Sequence, residues 1–188
     1  MNKYIQISIG ILGSILLITS LIGMNNELKD SDEVDTMLPP CTVDEGMPWP
    51  GDEEVTCYWG MSVEILEIPP EAAATDVLVD ISWVKDGVWI GIADASQASN
   101  CQLKNDYYEC QKNGVTLIEG GSTSDGKLQW SPSPGEYRFV AGGDDSETLQ
   151  QFTVDWEYEA SLKSGIAVVM MYLGIGMLAF AIFQRVIF

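Results

Sequence analysis

The chain has 188 residues, 28 of them acidic and nine basic, with no histidine and a formal net charge of −19. Without histidine, Ser-His-Asp and Cys-His catalysis, facial-triad iron sites and most catalytic zinc sites are excluded. The scarcity of cations disfavours binding to nucleic acid or to an anionic surface, both of which need a positive footprint.

The N-terminus opens with a three-residue head, 1–3, containing Lys3. Residues 4–23 follow as an uncharged run. At about 1.5 Å rise per residue such a run crosses a hydrocarbon layer of roughly 30 Å. A secretory signal also starts with a basic residue, but this run exceeds the usual apolar core, and no small-x-small cleavage pattern ends it. A retained transmembrane helix is expected. Residues 24–54 are rich in acid and proline and show no sustained period, so they read as a linker or irregular strap.

From Val55 the pattern becomes alternating. In VTCYWGMSVEI, Val55, Cys57, Trp59, Met61, Val63 and Ile65 point one way, as a half-buried strand requires. DVLVDISWV repeats this with Val77, Val79, Ile81 and Trp83 inward, and a Lys85-Asp86-Gly87 turn leads into VWIGIAD. Further strands are expected at YYECQ, VTLIE, KLQW, EYRFVAG and LQQFTVDWEYEA, separated by glycine-containing turns. Trp59, Trp83 and Trp156 fall at inward positions; Trp89 is either exposed or covers a second layer. Residues 55–160 are therefore expected to form an antiparallel β-sandwich.

Residues 164–184 are the second transmembrane helix, with 19 uncharged positions from Gly165 to Phe183, and 185–188 form a short tail. Lys3 and Arg185 flank the two helices on their short sides. The positive-inside rule then puts both termini in the cytoplasm and the central domain outside the cell membrane. The fold class expected is an all-β antiparallel sandwich ectodomain flanked by two single transmembrane α-helices.

Cys41, Cys57, Cys101 and Cys110 all lie in the central region. Spacing points to Cys41–Cys57 and Cys101–Cys110 disulfides, although four cysteines allow three pairings. Asp144, Asp145 and Glu147 follow a Gly-Gly turn and are weak candidates for calcium through oxygen ligands; a solvated turn is the competing reading. No other cofactor is expected, and no catalytic residue is assigned. Within the spans, Gly10 and Ser14 on the first helix and Gly174, Gly176 and Ala179 on the second are small residues that let helices approach closely. Neither span carries a residue that ionises near neutrality, which disfavours a proton relay or an ion path.

The segment SPSPGEYRFVAGG, a turn, a strand and then an acidic turn, resembles the closing part of small extracytoplasmic sandwiches such as pre-peptidase C-terminal domains, and more distantly GOLD domains. The resemblance implies a β-sandwich and transfers no catalytic residue. The coiled coil and dilysine tail of GOLD-domain cargo receptors are absent here.

These observations lead to a non-enzymatic, membrane-anchored accessory or interaction subunit of a cell-envelope complex, presenting an acidic sandwich outside. Its expected partners are the lipid bilayer and other membrane proteins. The alternative is an extracytoplasmic calcium- or glycan-binding domain, or a carboxylate-dependent hydrolase.

Overall fold

The structure, a computed structural model, describes residues 3–45, 53–143 and 148–187. In chain order it contains helix α1 (Lys3–Asn25), strands β1 (Leu28–Leu38), β2 (Thr42–Glu45), β3 (Glu53–Thr56), β4 (Tyr58–Ser62), β5 (Leu66–Ile68), β6 (Thr75–Ser82), β7 (Val88–Asp94), β8 (Gln102–Leu103), β9 (Tyr107–Gln111), β10 (Glu119–Gly120), β11 (Lys127–Trp130), β12 (Gly135–Gly143) and β13 (Gln150–Leu162), and helix α2 (Ser164–Ile187). Two short 3-10 helices, Pro70–Ala74 and Ala95–Asn100, lie between strands. The chain divides into a β unit, residues 30–70 and 78–158, and a helical unit, residues 1–29, 71–77 and 159–188.

The β unit is built on two antiparallel sheets, one of four strands in the order β1-β13-β6-β11 and one of seven with the main path β10-β7-β12-β4-β9-β8, where β5 also pairs with β12. Inward positions of β6 behave as their alternation requires: Val79, Ile81 and the following Trp83 are buried. Edge-to-face packing of Trp130 on Tyr137, with ring centroids 4.6 Å apart, ties β11 of one sheet to β12 of the other. The Trp83 indole N–H donates to the Val88 carbonyl at 2.8 Å, so the only polar atom of that side chain is satisfied in the core.

The central strands β7 and β12 are buried on both faces, with Ile90, Ile92 and Ala93 on one strand and Phe139, Val140 and Ala141 on the other. A second layer therefore covers the seven-stranded sheet. Met61, Ala93, Cys110, Val115 and Val140 form its core, with Trp59, Trp89 and Leu117 packed against them. Trp89 belongs to this covering layer and meets Trp59 edge-on at 5.0 Å.

Three sequence expectations need correction here. Residues 24–54, read as an irregular linker, contain β1, β2 and the start of β3. β1 lies at a sheet edge, where charge is tolerated, and only Val34, Thr36 and Leu38 in its second half are buried. Its acidic first half therefore hides the alternation. The run from Val55 to Ile65 is not one strand: β3 ends at Thr56, β4 at Ser62, and Val55, Val63 and Ile65 are exposed. Arg138 stabilises the second break from within, because its Nη1 donates to the carbonyls of Ser62, at 2.8 Å, and Val63, while its guanidinium lies over the Tyr108 ring. VTLIE, expected as a strand, supplies only Glu119 to β10. Gln97 bonds both backbone groups of Thr116 through its amide, and this holds Val115 and Leu117 as part of the covering layer.

Cys41 is joined to Cys57 across 16 residues and Cys101 to Cys110 across nine. The second bridge closes the loop from the 3-10 helix Ala95–Asn100 to β9. Asp94 caps that helix: its carboxylate accepts from the Ser96 hydroxyl and from the Ser96 N–H at 2.9 Å. These bonds, the hydroxyl first, hold the Asp94 carboxyl below its ordinary value of 3.8. A depressed folded-state value means that the contribution to stability is complete above pH 3.8 and is lost as pH falls through the lower folded value. In acid unfolding curves, Asp94→Asn is expected to lose less stability than the parent chain between pH 5 and pH 2; coincident acid limbs would contradict the cap.

Candidate functional site

Two features stand out, one in each unit: the seam between the helices and a cleft in the β unit.

The helices are antiparallel, and three contacts fix their register. The Gln6 side-chain amide donates to the Ala181 carbonyl at 2.8 Å, and the Ser20 hydroxyl donates to the Ala167 carbonyl at 2.7 Å. Between them, a Cβ added at Gly13 would lie 2.9 Å from the Gly174 carbonyl oxygen, and one added at Gly174 would lie 2.9 Å from the Gly13 carbonyl oxygen. Gln6, Gly13 and Ser20 are spaced seven apart, as are Ala167, Gly174 and Ala181. A seven-residue period keeps one stripe of each helix facing its partner through a left-handed supercoil.

The polarity of the pair is inverted relative to a water-soluble hairpin. Ser20 and Ala167 are fully buried, whereas Ile7, Ile11, Ile15, Ile18, Val169, Leu173 and Phe183 are about half exposed or more. Small and polar side chains face inward and branched apolar ones outward, which suits hydrocarbon as the surrounding solvent. Ser8 and Ser14 donate to the carbonyls four residues earlier, so these hydroxyls are satisfied within α1. Two long apolar helices flanking a central β domain match a membrane topology with both termini inside and the domain extracytoplasmic.

Of the small residues singled out from sequence, Gly174 lies at the closest approach and Gly10 faces the Ala181 Cβ at 3.7 Å. Ser14 is partly buried. Gly176 and Ala179 point away from the partner helix: both are exposed, and a Cβ at Gly176 would meet nothing within 4 Å. Gly13, Gln6, Ser20 and Ala167 are the seam residues that a small-xxx-small search overlooks; a seven-residue spacing was the signal that marks them. Ser20→Ala is expected to weaken pairing by about 0.5–1.5 kcal/mol, read as a lower dissociation temperature of the hairpin in detergent. An unchanged value would show that Ser20 finds an equivalent partner within α1.

Two ends of the helical unit are further secured outside the spans. The Lys163 ammonium donates to the Ala73 carbonyl at 2.7 Å, and its backbone N–H donates to Ala74 at 3.1 Å. Lys29 pairs with Glu159 and, at 3.4 Å, with Glu27. The hydrogen bond from Glu159 is the main reason the Lys29 ammonium is held above its usual value.

The cleft is a cavity of about 1110 Å³ in the β unit. Every strand of the four-stranded sheet contributes: residues 31–33 of β1, 155–157 of β13, 80–82 of β6 and 127–129 of β11, with residues of the 119–124 segment opposite. Asp32, Glu33, Asp80, Glu119, Asp155 and Glu157 line it, against the single cation Lys127. Ile81, Leu128 and Trp156 provide its apolar part. Trp156 also borders a second, smaller cavity beside Val34 and Ile65, and its indole N–H is buried without a hydrogen-bond partner.

Asp144, Asp145 and Glu147, the calcium candidates, lie outside the described residues. Among the described residues no three cysteine or carboxylate side chains converge as metal ligands.

No family model and no curated protein matches this chain. Among solved structures, it is similar to an antigen and type I fimbria protein of Burkholderia pseudomallei at 8% identity, with 72% of this chain and 99% of that chain covered and a TM-score of 0.24. It is also similar to the K1 cleaved adhesin domain of Lys-gingipain from Porphyromonas gingivalis W83 at 11% identity, with 74% and 100% covered and a TM-score of 0.24. Neither likeness assigns the chain to a family.

Proposed function

We propose that this chain is a non-enzymatic, membrane-anchored accessory or interaction subunit of a cell-envelope membrane protein complex, which holds its β-sandwich outside and meets its partners there. The observation that carries this reading is the three-layer helix seam. Its polar side chains Gln6 and Ser20 are spent on the opposite backbone, and its glycines on close approach. Such a pair has the character of an anchor, since neither span offers an ionisable group for transport. The β unit is then the part left to act, and its acid-lined cleft is the largest concave feature available for contact.

Native mass measurement after mild detergent extraction tests the reading. A complex well above the 20.6 kDa of the single chain, containing at least one other membrane protein in fixed ratio, is expected. Recovery of the chain alone, with its disulfides intact, would sink the proposal.

A further inference from the structure

We infer that the cleft of the β unit is a docking groove for a short, extended, basic segment of a partner protein in which lysine or arginine alternates with apolar residues. The inference rests on the interaction-subunit reading and adds the chemistry of the partner.

The lining has two chemistries at once. Ile81, Leu128 and Trp156 give it an apolar strip, and Asp32, Glu119 and Asp155 belong to a carboxylate rim with Lys127 as its only cation. An inorganic cation uses the carboxylates and leaves the apolar strip in contact with water. A neutral apolar ligand fills the strip and leaves the carboxylates mutually repelling. A chain whose side chains alternate in character satisfies both, because successive side chains of an extended segment point to opposite sides.

Size agrees with that occupant. The cleft crosses four adjacent strands, and at about 4.8 Å per strand spacing the outer two lie roughly 14 Å apart. An extended peptide covers that distance with about four or five residues. The cavity of about 1110 Å³ is also at the upper end of, or beyond, the roughly 300–1,000 Å³ typical of drug-sized ligands. Trp156 supplies an unpartnered indole N–H at this place, a donor suited to a peptide carbonyl.

The test uses the full chain in lipid nanodiscs and a fluorescent probe peptide of alternating lysine and valine, eight residues long. Saturable binding that weakens steeply with salt is expected. The triple variant Asp32→Asn, Glu119→Gln, Asp155→Asn should bind about tenfold or more weakly. Lys127→Glu, which removes the only cation, should bind more tightly and guards against a folding defect in the triple variant. Oligolysine of equal charge should bind about tenfold more weakly than the alternating peptide, since it leaves the apolar strip uncovered. Equal binding of oligolysine, displacement of the peptide by calcium or spermidine at equal concentration, or indifference to both sets of substitutions would overturn the inference. Native mass measurement of the triple variant separates the two levels. A partner retained at full occupancy leaves the interaction reading standing and removes the cleft from it, whereas no partner with either chain removes the interaction reading itself.

Discussion

Gly60→Ala is expected to destabilise the β unit by about 3 kcal/mol or more, seen as a fall of roughly 10–20 °C in Tm. Gly60 lies in β4 and pairs with Glu109 and Ala141 on its two sides. A methyl group there would sit 1.7 Å from the Met37 carbonyl oxygen and 3.0 Å from the Pro39 ring. No rotamer can relieve this, because the nearest obstacle is backbone. β1 has to move off β4, and the buried residues Leu38 and Met61 beside the contact lose packing with it. Gly176→Ala is the matched control, since its Cβ meets nothing, and should leave the transition in place. A Gly60→Ala chain that melts within two or three degrees of the parent would show that the β1 segment yields freely.

The second large effect is expected in the membrane. Gly13→Ile should open the helix pair, because even its Cβ would lie 2.9 Å from the Gly174 carbonyl oxygen and 3.0 Å from the Met177 Cβ. Separating the helices by the width of a side chain also breaks the Gln6 and Ser20 hydrogen bonds, each worth about 0.6–2 kcal/mol in lipid. Oxidative cross-linking reads this out: cysteines placed at Gln6 and Ala181 should link readily in the parent background and about tenfold more slowly with Gly13→Ile present. Gly176→Ile, on the exposed face, should leave the rate unchanged. Equal rates in all three chains would refute the seam.

Much of this architecture could be read from residues. Uncharged runs announce both helices, and period-two alternation announces β4, β6, β7 and β12, because in these strands one or both faces are packed. The spacing that pointed to Cys41–Cys57 and Cys101–Cys110 is the pairing present. Failures have a common cause: a pattern shows only where burial enforces it. The first half of β1 is exposed on both sides, so Asp30, Asp32 and Glu33 reveal nothing of the strand they occupy. Val115 and Leu117 alternate like a strand but are held by Gln97 as a lid over β7. In the spans, hydrophobicity is uniform and cannot distinguish the lipid face from the seam. Gly176 and Gly174 are two residues apart and chemically identical, yet only Gly174 touches α1. The cleft was not legible at all, since its residues come from four strands and a loop spread over more than 120 positions.

The register of the helix pair also sets an order of events during synthesis. α1 ends at Asn25 and α2 begins at Ser164, and the intervening chain of roughly 140 residues takes about 7–30 s to emerge at 5–20 residues per second. Throughout that interval the Gln6 amide is already in the lipid while the carbonyl it will bond is still unmade. Closure of the hairpin is therefore the last step, and a nascent chain stalled in the sandwich is left with a polar, single-helix anchor that membrane quality control can tell apart from the finished product.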